Sequence, residues 1–449
     1  MESNILAKYD QRVPRYTSYP TVPHFRSKVK ADAYRQWLTE LDPGLPLSLY
    51  VHIPFCDSLC WFCGCHTKIV RRHAPIGAYL EVLLKEIELV ADLLGLRREI
   101  SHLHLGGGTP TILELDEFQR LFDVLRKRFA FRSDAEIAVE SDPRGLDLNL
   151  VEAMTVAGVN RASLGLQDLN PQVQRAVNRL QSFDETERAV AALRAAGINS
   201  INIDLMYGLP HQTVTRVLAT IEAVLTLAPE RVCLFGYAHV PWMKSHQRLI
   251  DEPALPGPAE RLAQYLAGAQ RLQEAGYVWI GLDHFALPND ALAIAAREGG
   301  LHRNFQGYTT DGAPVRLGFG PSAIGTLPRG YVQNAAPMHA YRDAVEAGQL
   351  PIARGLVLDD DDRLRAAVIE RLMCELRVDL TQVCKGFGRD PDVFAAEWAG
   401  LSALEADGLV ELDDKIIRVT EQGRPFVRVV CAGFDSYVRT GEERAVPAV

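Results

Sequence analysis

The sequence predicts an α/β protein whose central sheet is parallel and is built from six repeats of a strand followed by a helix. Short apolar runs recur along the 449 residues, each run ends in a polar or Gly-rich turn, and an amphipathic helical pattern follows. Short connections between such units favour a parallel sheet with right-handed crossovers. Periodicity alone leaves open whether the sheet stays open or curls into a barrel. The six runs are LSLYVHI, EISHLHL, AEIAVE, RASLGLQ, SINIDLMYG and RVCLFGYAHV.

The helices between these runs are recognised by residues spaced three and four apart. In the helix after the first run, the apolar face holds Leu80, Leu83, Leu84, Ile87, Ala91 and Leu94, and the charged face holds Lys85, Glu86, Glu88 and Asp92. The later stretch FDETERAVAALRAAG ends in a Gly suited to a helix C-cap. The charged face is expected to meet solvent.

Four regions are predicted along the chain. Residues 1–40 form an arm with seven Lys/Arg against four Asp/Glu and the Pro- and Tyr-rich segment PRYTSYPTVP, which we expect to lie over another part of the protein. Residues 41–290 hold the repeated units, and residues 291–350 form a Gly-rich connecting segment. Residues 351–449 are mostly helical, and the order helix, LVEL, turn, IIRV and helix near the end is typical of a winged-helix-like domain.

Composition excludes several classes of function. The chain carries 48 Lys/Arg against 57 Asp/Glu, a net charge of −9, so we expect no nucleic-acid partner. Charges interrupt every apolar stretch before it is long enough to span a membrane. The N-terminal MESNILAKYDQR lacks the apolar region of a secretory signal, so the eight Cys indicate a reducing, cytoplasmic protein in which clustered thiols bind metal.

Four cysteines lie close together in HIPFCDSLCWFCGCHTK: Cys56, Cys60, Cys63 and Cys65. Thiolates spaced C-x3-C-x2-C can wrap one corner of a four-iron cluster and leave one iron open, whereas structural zinc sites use two separated pairs. A zinc site or coincidence remains the alternative. Cys65 follows Cys63 too closely to be required for the cluster. The other four cysteines are scattered in apolar segments and are expected in the core.

Polar residues follow the predicted strands at the point where each one ends. The cysteine cluster follows the first run directly, GGGTP (106–110) follows the second, and Glu140, Gln167 and Asp204 follow the next three. The sixth run ends in Tyr-Ala-His. The carboxyl ends of parallel strands meet at one edge, where active sites of such folds lie. The bare N–H groups of GGGTP are expected to meet a carboxylate or an amino acid.

Alternation in the first run places Tyr50 and His52 on the face opposite Leu49 and Val51. If the apolar face packs on helices, Tyr50 and His52 point into the lumen near the cysteines. We predict Tyr50, His52 and Cys65 as catalytic residues. A buried, hydrogen-bonded structural histidine is an equal alternative for His52.

C-x3-C-x2-C after a first strand, followed by GGGTP and a strand-end Glu, resembles the radical S-adenosylmethionine superfamily. Within it, the chain is most similar to the oxygen-independent coproporphyrinogen III oxidases. The segments that match that family span nearly the whole chain in order: PRYTSYPT, LSLYVHIPFC with the following cysteines, HLHLGGGTPT, DPR, NIDLMYGLP, LDHFA, HRNFQGYTT and GRPFVRVVCAGFDSYVR.

The resemblance implies a partial (β/α)6 barrel that holds a [4Fe-4S] cluster and S-adenosylmethionine. Carried over by position, it assigns Cys56, Cys60 and Cys63 to the cluster and Phe62 to a second S-adenosylmethionine. The implied contacts to the first S-adenosylmethionine are Tyr50, Gly107, Gly108, Thr109, Glu140, Gln167, Arg179, Asp204, Ala238 and Ile324. The implied reaction converts two propionates of coproporphyrinogen III to vinyl groups without oxygen, by way of a 5′-deoxyadenosyl radical.

A substrate with four carboxylates needs local basic groups on an acidic protein, and the sequence offers Arg12, Arg15 and Arg303. The reaction implied by the resemblance also needs an electron donor and an electron acceptor, and we expect a monomer. The nearest alternative is a haem-binding chaperone of the same family, which lacks both the arm and a cysteine equivalent to Cys65. A zinc-stabilised scaffold without catalysis is the alternative from another class.

Overall fold

A computed structural model describes residues 3–438 and 446–447 of the protein. Residues 1–2 of the predicted arm and residues 439–445 and 448–449 of the predicted C-terminal domain lie outside the described residues. The helices are α1 (Ser3–Tyr9), α2 (Ala31–Thr39), α3 (Ala74–Leu94), α4 (Leu115–Arg128), α5 (Leu148–Val156), α6 (Pro171–Ala176), α7 (Phe183–Ala195), α8 (Val214–Thr226), α9 (Pro258–Glu274), α10 (Ala291–Glu298), α11 (Met338–Glu346), α12 (Asp360–Glu375), α13 (Leu380–Gly386), α14 (Ala395–Gly400), α15 (Ser402–Ala406) and α16 (Val427–Ala432).

The strands are β1 (Arg12–Val13), β2 (Leu47–Ile53), β3 (Phe55–Cys56), β4 (Lys68–Ile69), β5 (Glu99–Gly107), β6 (Ala130–Ser141), β7 (Arg161–Gln167), β8 (Ser200–Tyr207), β9 (Arg231–Gly236), β10 (Val278–Ile280), β11 (His284–Ala286), β12 (His302–Asn304), β13 (Gly307–Thr309), β14 (Val315–Phe319), β15 (Ile324–Leu327), β16 (Gly330–Asn334), β17 (Ile352–Val357), β18 (Arg377–Asp379), β19 (Val410–Asp413), β20 (Ile416–Val419) and β21 (Val446–Pro447).

One large sheet carries the six predicted strands, in the order β10-β11-β9-β8-β7-β6-β5-β2-β14-β15-β16-β17. The strands β2, β5, β6, β7, β8 and β9 are parallel neighbours in chain order, which confirms the predicted parallel sheet. The sheet does not close on itself, because β9 pairs with β11 and β2 pairs with β14. Residues from all six parallel strands line one cavity, so the sheet curls around it as a partial barrel.

The helices cover the outside of this sheet with the faces that periodicity predicts. In α3, Leu80, Leu83 and Ile87 are fully buried, and the helix ends at Gly95, which has the left-handed φ of 71°. Glu86 corrects the prediction: it is buried, although it falls on the charged face. The loop after β14 and the side chains of Asn334 and Tyr341 cover this position and donate hydrogen bonds to its carboxylate.

The Gly-rich region adds strands that periodicity did not predict. β14 runs parallel to β2 and extends the row of parallel strands, and β15, β16 and β17 follow it as antiparallel neighbours. Gly318 in β14 is required by close packing, because a Cβ there would lie 2.6 Å from the carbonyl oxygen of Ile324. Pro328 sits in the β15–β16 turn, at the opposite end of β15 from Ile324.

The arm lies over the rest of the protein and joins it to the C-terminal region. The Tyr16 hydroxyl donates to Asp435 at 3.0 Å, and the Tyr19 hydroxyl lies 3.0 Å from Ser436 Oγ. Tyr331 of β16 donates to the Tyr19 carbonyl at 3.0 Å. Tyr16 and Tyr19 are both buried, so the aromatic residues of the arm are packed against other segments.

After β17, which belongs to the main sheet, the C-terminal region has the order α12, β18, α13, α14, α15, β19, β20 and α16, and three of its strands form a separate sheet, β18-β20-β19. Cys374, Cys384 and Cys431 are buried there, and Cys233 is buried in the main sheet, as expected of core cysteines. Among the described residues, no helix is long and apolar enough to cross a membrane.

Candidate active site

The carboxyl ends of the parallel strands surround a cavity of about 550 Å³. Strand residues from β2, β5, β6, β7, β8 and β9 reach it, and residues of the arm, of the segment 302–309 and of the C-terminal region (Pro425 and Arg428) also line its wall. The cavity is therefore built from all four predicted regions of the chain.

Tyr50 and His52 project from the same face of β2 into this cavity. The Tyr50 hydroxyl lies 2.9 Å from His52 Nδ1, and His52 Nε2 lies 2.9 Å from the His66 carbonyl oxygen. Burial lowers the pKa of His52 to about 4, so the ring is neutral at neutral pH. Because a carbonyl only accepts, Nε2 carries the proton, Nδ1 is the acceptor, and Tyr50 donates its hydroxyl proton to it.

Glu140 is the next-to-last residue of β6 and is held as an anion by two donors. His104 Nε2 lies 2.8 Å from Oε1, and the Gly107 N–H donates to Oε2 at 3.1 Å. Burial acts to raise the pKa of Glu140, but the hydrogen bonds from His104 and Gly107 outweigh it and bring the pKa below the ordinary value. The strand-end position thus supplies a fixed negative charge to the cavity.

The GGGTP turn packs tightly under the cysteine loop. A Cβ on Gly107, where φ is +117°, would lie 2.7 Å from the His52 ring, and one on Gly108 would lie 2.3 Å from the Phe55 carbonyl oxygen. The N–H groups expected to meet a ligand are used internally: Gly107 donates to Glu140, and Gly108 and Thr109 donate to the Ile53 and Phe55 carbonyls. This corrects the predicted role of those groups.

Asp204 lies in the middle of β8, on the wall of the cavity. Asn202 Nδ2 donates to Oδ1 at 2.7 Å, and Ser163 Oγ donates to Oδ2 at 3.2 Å. Burial raises the pKa of Asp204 despite these bonds, and the charge of Glu140 adds to the increase.

The cysteine loop that follows β2 is held by donors from other segments. Arg179 Nη1 lies 3.4 Å from Cys60 Sγ, and the Cys65 N–H lies 3.4 Å from Cys63 Sγ. Lys244 and His246 hydrogen-bond the carbonyls of Cys65 and Cys63 at 2.9 and 2.8 Å. The loop is therefore fixed through both its sulfur atoms and its backbone.

Part of the cavity wall is basic. Arg15, Arg261, Arg303 and Arg428 line it, and Arg15 Nη2 donates to the Gly236 carbonyl at 3.3 Å. Asp283 lies 3.9 Å from Arg303 Nη1. Burial acts to raise the pKa of Asp283, but its hydrogen bond with His284 and the charges of Arg303 and Arg15 lower it to about 2.

Comparisons with known proteins agree with this arrangement. The profile described as the radical SAM superfamily matches residues 50–224, and the profile described as the HemN C-terminal domain matches residues 358–426. A protein of Bradyrhizobium diazoefficiens named oxygen-independent coproporphyrinogen III oxidase is 51% identical over 444 residues, which are 99% of each chain. The chain belongs to the oxygen-independent coproporphyrinogen III oxidase family.

Other members of this coproporphyrinogen oxidase family are similar over the same length. The protein of that name from Salmonella typhimurium is 42% identical over 97% of this chain and 95% of its own. The solved structure described as "Coproporphyrinogen III oxidase (HemN) from Escherichia coli is a Radical SAM enzyme" has a TM-score of 0.90 and 41% identity, and covers 95% of this chain and 100% of that chain. The predicted partial barrel is confirmed by this similarity.

Radical SAM proteins use a [4Fe-4S] cluster and S-adenosylmethionine, and the cysteine loop fits the cluster by its donor set. In the described residues, no three His, Cys, Asp or Glu side chains converge as ligands of a single ion. In a four-iron cluster each thiolate binds a different iron, so the thiolates need not converge on one point as the ligands of a single ion do. The Cys65 hydrogen bonds outweigh burial and, with Lys244 and His246 nearby, lower the pKa of Cys63 to about 6, whereas burial raises the pKa of Cys56 to about 12.

Many of the predicted site residues line the cavity, and others do not. Those that line the cavity are Tyr50, His52, Cys65, Gly107, Glu140, Asp204, Ala238, Ile324, Arg15 and Arg303. Those that do not are Cys56, Cys60, Cys63, Phe62, Gly108, Thr109, Gln167, Arg179 and Arg12. Phe62 packs in a separate apolar cluster, and the Arg12 guanidinium lies 5.3 Å from the Trp242 ring, on the surface.

Sequence reasoning missed His104, Asp283, Arg261 and Arg428. The alternation in HLHL could have identified His104, because it places His104 on the face of β5 opposite the buried Leu103 and Leu105. Arg261 and Arg428 lie on helices α9 and α16, far along the chain from the strand ends, and no local pattern marks them.

Proposed function

We propose that this protein performs the oxidative decarboxylation of two propionate side chains of coproporphyrinogen III, giving the two vinyl groups of protoporphyrinogen IX without oxygen. One observation carries the proposal: a single cavity is lined by Cys65 of the cysteine loop, by ionised Glu140 and by four arginines. The carboxylate suits a cationic sulfonium cofactor, and the arginines suit a substrate with four carboxylates.

Cys56, Cys60 and Cys63 hold the [4Fe-4S] cluster in this proposal. When bound, the cluster and S-adenosylmethionine supply the radical that removes hydrogen from an unactivated C–H bond. Glu140 and Asp204 position the cofactor through its amino group and a ribose hydroxyl, which places the reacting carbon near the substrate. Gln167, Arg179, Ala238 and Ile324 are proposed to complete that site, together with Gly107, Gly108 and Thr109 through groups other than their N–H donors, which are bonded within the protein.

Tyr50, His52 and Cys65 are proposed to act at the substrate side of the cluster. All three line the cavity, and the neutral His52 ring fixes the direction of the Tyr50 hydroxyl. Phe62 is proposed to contact a second S-adenosylmethionine, and Arg12, Arg15 and Arg303 to contact substrate carboxylates. Arg12 does not line the cavity and stacks on Trp242, so its proposed contact with a substrate carboxylate is made at the protein surface.

Each decarboxylation consumes one electron and releases one, so the protein needs both an electron donor and an acceptor. We infer that it works as a monomer in a reducing cytoplasm, where its eight cysteines stay free. The relatives that cover the chain from end to end carry the oxidase name, which argues against the haem-binding chaperone.

Anaerobic incubation with coproporphyrinogen III, S-adenosylmethionine and a reductant tests the proposal. We expect a divinyl product and 5′-deoxyadenosine, and neither from the Cys60→Ser variant. Iron and sulfide analysis with an absorption spectrum on the same sample identifies the cluster. A protein that carries the cluster but binds haem and forms no vinyl product would be a chaperone.

A further inference from the structure

The second half of the cysteine loop, residues 62–65, is held by one distant segment of the chain. Lys244 Nζ donates to the Cys65 carbonyl oxygen at 2.9 Å. His246 Nε2 lies 2.8 Å from the Cys63 carbonyl oxygen, and it is the donor because a carbonyl only accepts. The two side chains lie 179 and 183 residues along the chain from their acceptors, so only the tertiary fold brings them to the loop.

Gln247 anchors this segment to the carboxyl end of β9. Its Nε2 donates to the Phe62 carbonyl oxygen at 3.0 Å and lies 3.2 Å from the Ala238 carbonyl oxygen. Its Oε1 accepts from the Val240 N–H at 2.6 Å. Gln247 is 1% exposed, so these bonds form away from solvent. One buried amide therefore joins the cysteine loop to the residues that follow β9.

The two halves of the cysteine loop are restrained in different ways. Arg144 and Arg179 reach Cys60 Sγ in the first half, at 3.8 and 3.4 Å. In the second half, no backbone N–H of the described residues donates to the carbonyl groups of residues 62–65. Backbone polar groups in a loop need partners, and here side chains of the segment 244–247 supply them. The second half of the loop therefore depends on this segment for its shape.

Lys244 also brings a positive charge to the second half of the loop. Its side chain is half-buried, and its ammonium group forms no ion pair with any carboxylate of the described residues. A four-iron cluster with three thiolate ligands is an anion, and reduction adds one more negative charge. A positive charge beside such a cluster stabilises the reduced form more than the oxidised form.

We propose that Lys244, His246 and Gln247 are positioning residues for the [4Fe-4S] cluster, and we call them the loop clamp. The loop clamp fixes the backbone around Cys63, and the charge of Lys244 makes it easier for the cluster to accept one electron from the donor. The inference rests on the proposed function, in which Cys63 and two other cysteines hold the cluster. The three residues act through the cysteine loop and are not ligands themselves.

Reduction of the reconstituted cluster tests the charge of Lys244 without substrate. The midpoint potential is measured anaerobically by titration with dithionite, followed through the absorbance and the electron paramagnetic resonance of the cluster. We expect Lys244→Met and Lys244→Gln to shift the midpoint to a more negative potential, whereas Lys244→Arg, which keeps the charge, stays close to the wild type. Lys244→Gln keeps an N–H donor, so it gives the potential even if Lys244→Met does not load the cluster. An unchanged midpoint in the uncharged variants would overturn the proposal.

Anaerobic release of iron to a chelator tests the positioning role. His246→Leu should lose iron about fivefold faster than the wild type, which is the size of one hydrogen bond. His246→Gln keeps an N–H donor and should lose iron at the wild-type rate, and this rescue separates the hydrogen bond from a general effect of replacing the ring. Equal rates for His246→Leu and the wild type would overturn the loop clamp.

Arg248→Gln is the matched control, because Arg248 lies in the same 3₁₀ helix (Ser245–Leu249) but is exposed and makes no hydrogen bond with the cysteine loop in the described structure. It should change neither the midpoint potential nor the rate of iron release. Changes as large as those of Lys244→Met and His246→Leu would overturn the proposal. A wild type that holds the cluster but forms no vinyl product would refute the proposed function alone, whereas a wild type that binds no cluster would overturn both.

Discussion

Glu140 and Asp204 show how their surroundings shift the pKa values of two carboxylates in one cavity in opposite directions. Two donors keep the pKa of Glu140 below its ordinary value, whereas burial raises that of Asp204. The position of Glu140 near the end of its strand could be predicted from the sequence, because parallel strands share an edge, whereas Asp204 lies in the middle of β8 and not at its predicted end. The opposite directions of these pKa shifts could not be predicted, because one depends on the hydrogen bond from His104 and the other on burial and the charge of Glu140.

Replacement of Cys56, Cys60 or Cys63 by Ser should remove most of the iron, since each change deletes a soft thiolate ligand. Iron content and cluster absorbance measure the effect. Cys384→Ala is the control, because that buried thiol lies in the C-terminal region. Full absorbance and activity in any one of the three Ser variants would contradict the ligand assignment.

Cys65→Ser should keep the iron but lose the product. Cys65 lines the cavity and contacts Cys63 through its backbone N–H, which a serine also has. Iron content and vinyl product are measured on one sample. Parallel loss of iron and activity would mean that Cys65 supports the cluster and does not act on substrate or product.

At the scale of elements, Glu86 joins α3 to β16 and α11 through Asn334 and Tyr341, which donate to it at 2.6 Å. Burial raises the pKa of Glu86 to about 7 from 4.5, although these bonds oppose the increase. The folded protein therefore binds this proton more tightly than the unfolded chain does. Stability from this group is present below pH 4.5 and is lost as the pH rises to 7.

We expect the free energy of unfolding of the wild type to fall by about 3 kcal/mol more than that of Glu86→Gln between pH 4.5 and 7. Urea unfolding at several pH values measures the difference. Glu81→Gln, at an exposed position of the same helix, should follow the wild type. If the stability of the wild type and of Glu86→Gln changed with pH in the same way, the raised pKa of Glu86 would be contradicted.

Deletion of residues 1–35 should abolish decarboxylation, because the arm supplies Arg15 to the cavity, while cluster content and S-adenosylmethionine binding stay nearly intact. Since Tyr16 and Tyr19 bond to the C-terminal region, the deletion is paired with Arg15→Gln and Tyr16→Phe. Arg15→Gln should lower turnover, and Tyr16→Phe should lower only stability. Normal turnover by the folded fraction of the truncated protein would refute a substrate role for the arm.

The six parallel strands could be predicted because each combines a short apolar run with a helix of clear periodicity. β14 could not, since Val315–Phe319 lies in a Gly-rich region and no helix of the repeated kind precedes it. The buried state of Glu86 was also hidden, because the groups that cover it come from segments about 250 residues away. Long-range packing of this kind leaves no periodic signal.

At the scale of the whole molecule, the negative charge of the region predicted to be winged-helix-like argues against nucleic-acid binding. Residues 351–449 hold 13 Lys/Arg and 19 Asp/Glu, a difference of −6. We expect no change in the anisotropy of labelled duplex DNA at about 0.15 M salt. The region has no excess of Lys and Arg side chains that could displace the counterions of the DNA phosphates. Salt-dependent binding at micromolar protein would contradict this expectation.

The pairing of β14 with β2 has a consequence for the synthesis of the protein. Ser48 and Val315, which the pairing brings together, are 267 residues apart, so the ribosome needs roughly 15–50 s to make the second strand after the first. Until then one edge of β2, the strand that leads into the cysteine loop, has no neighbour. Exposed strand edges attract other chains, so the nascent protein passes through a period in which chaperone protection matters most.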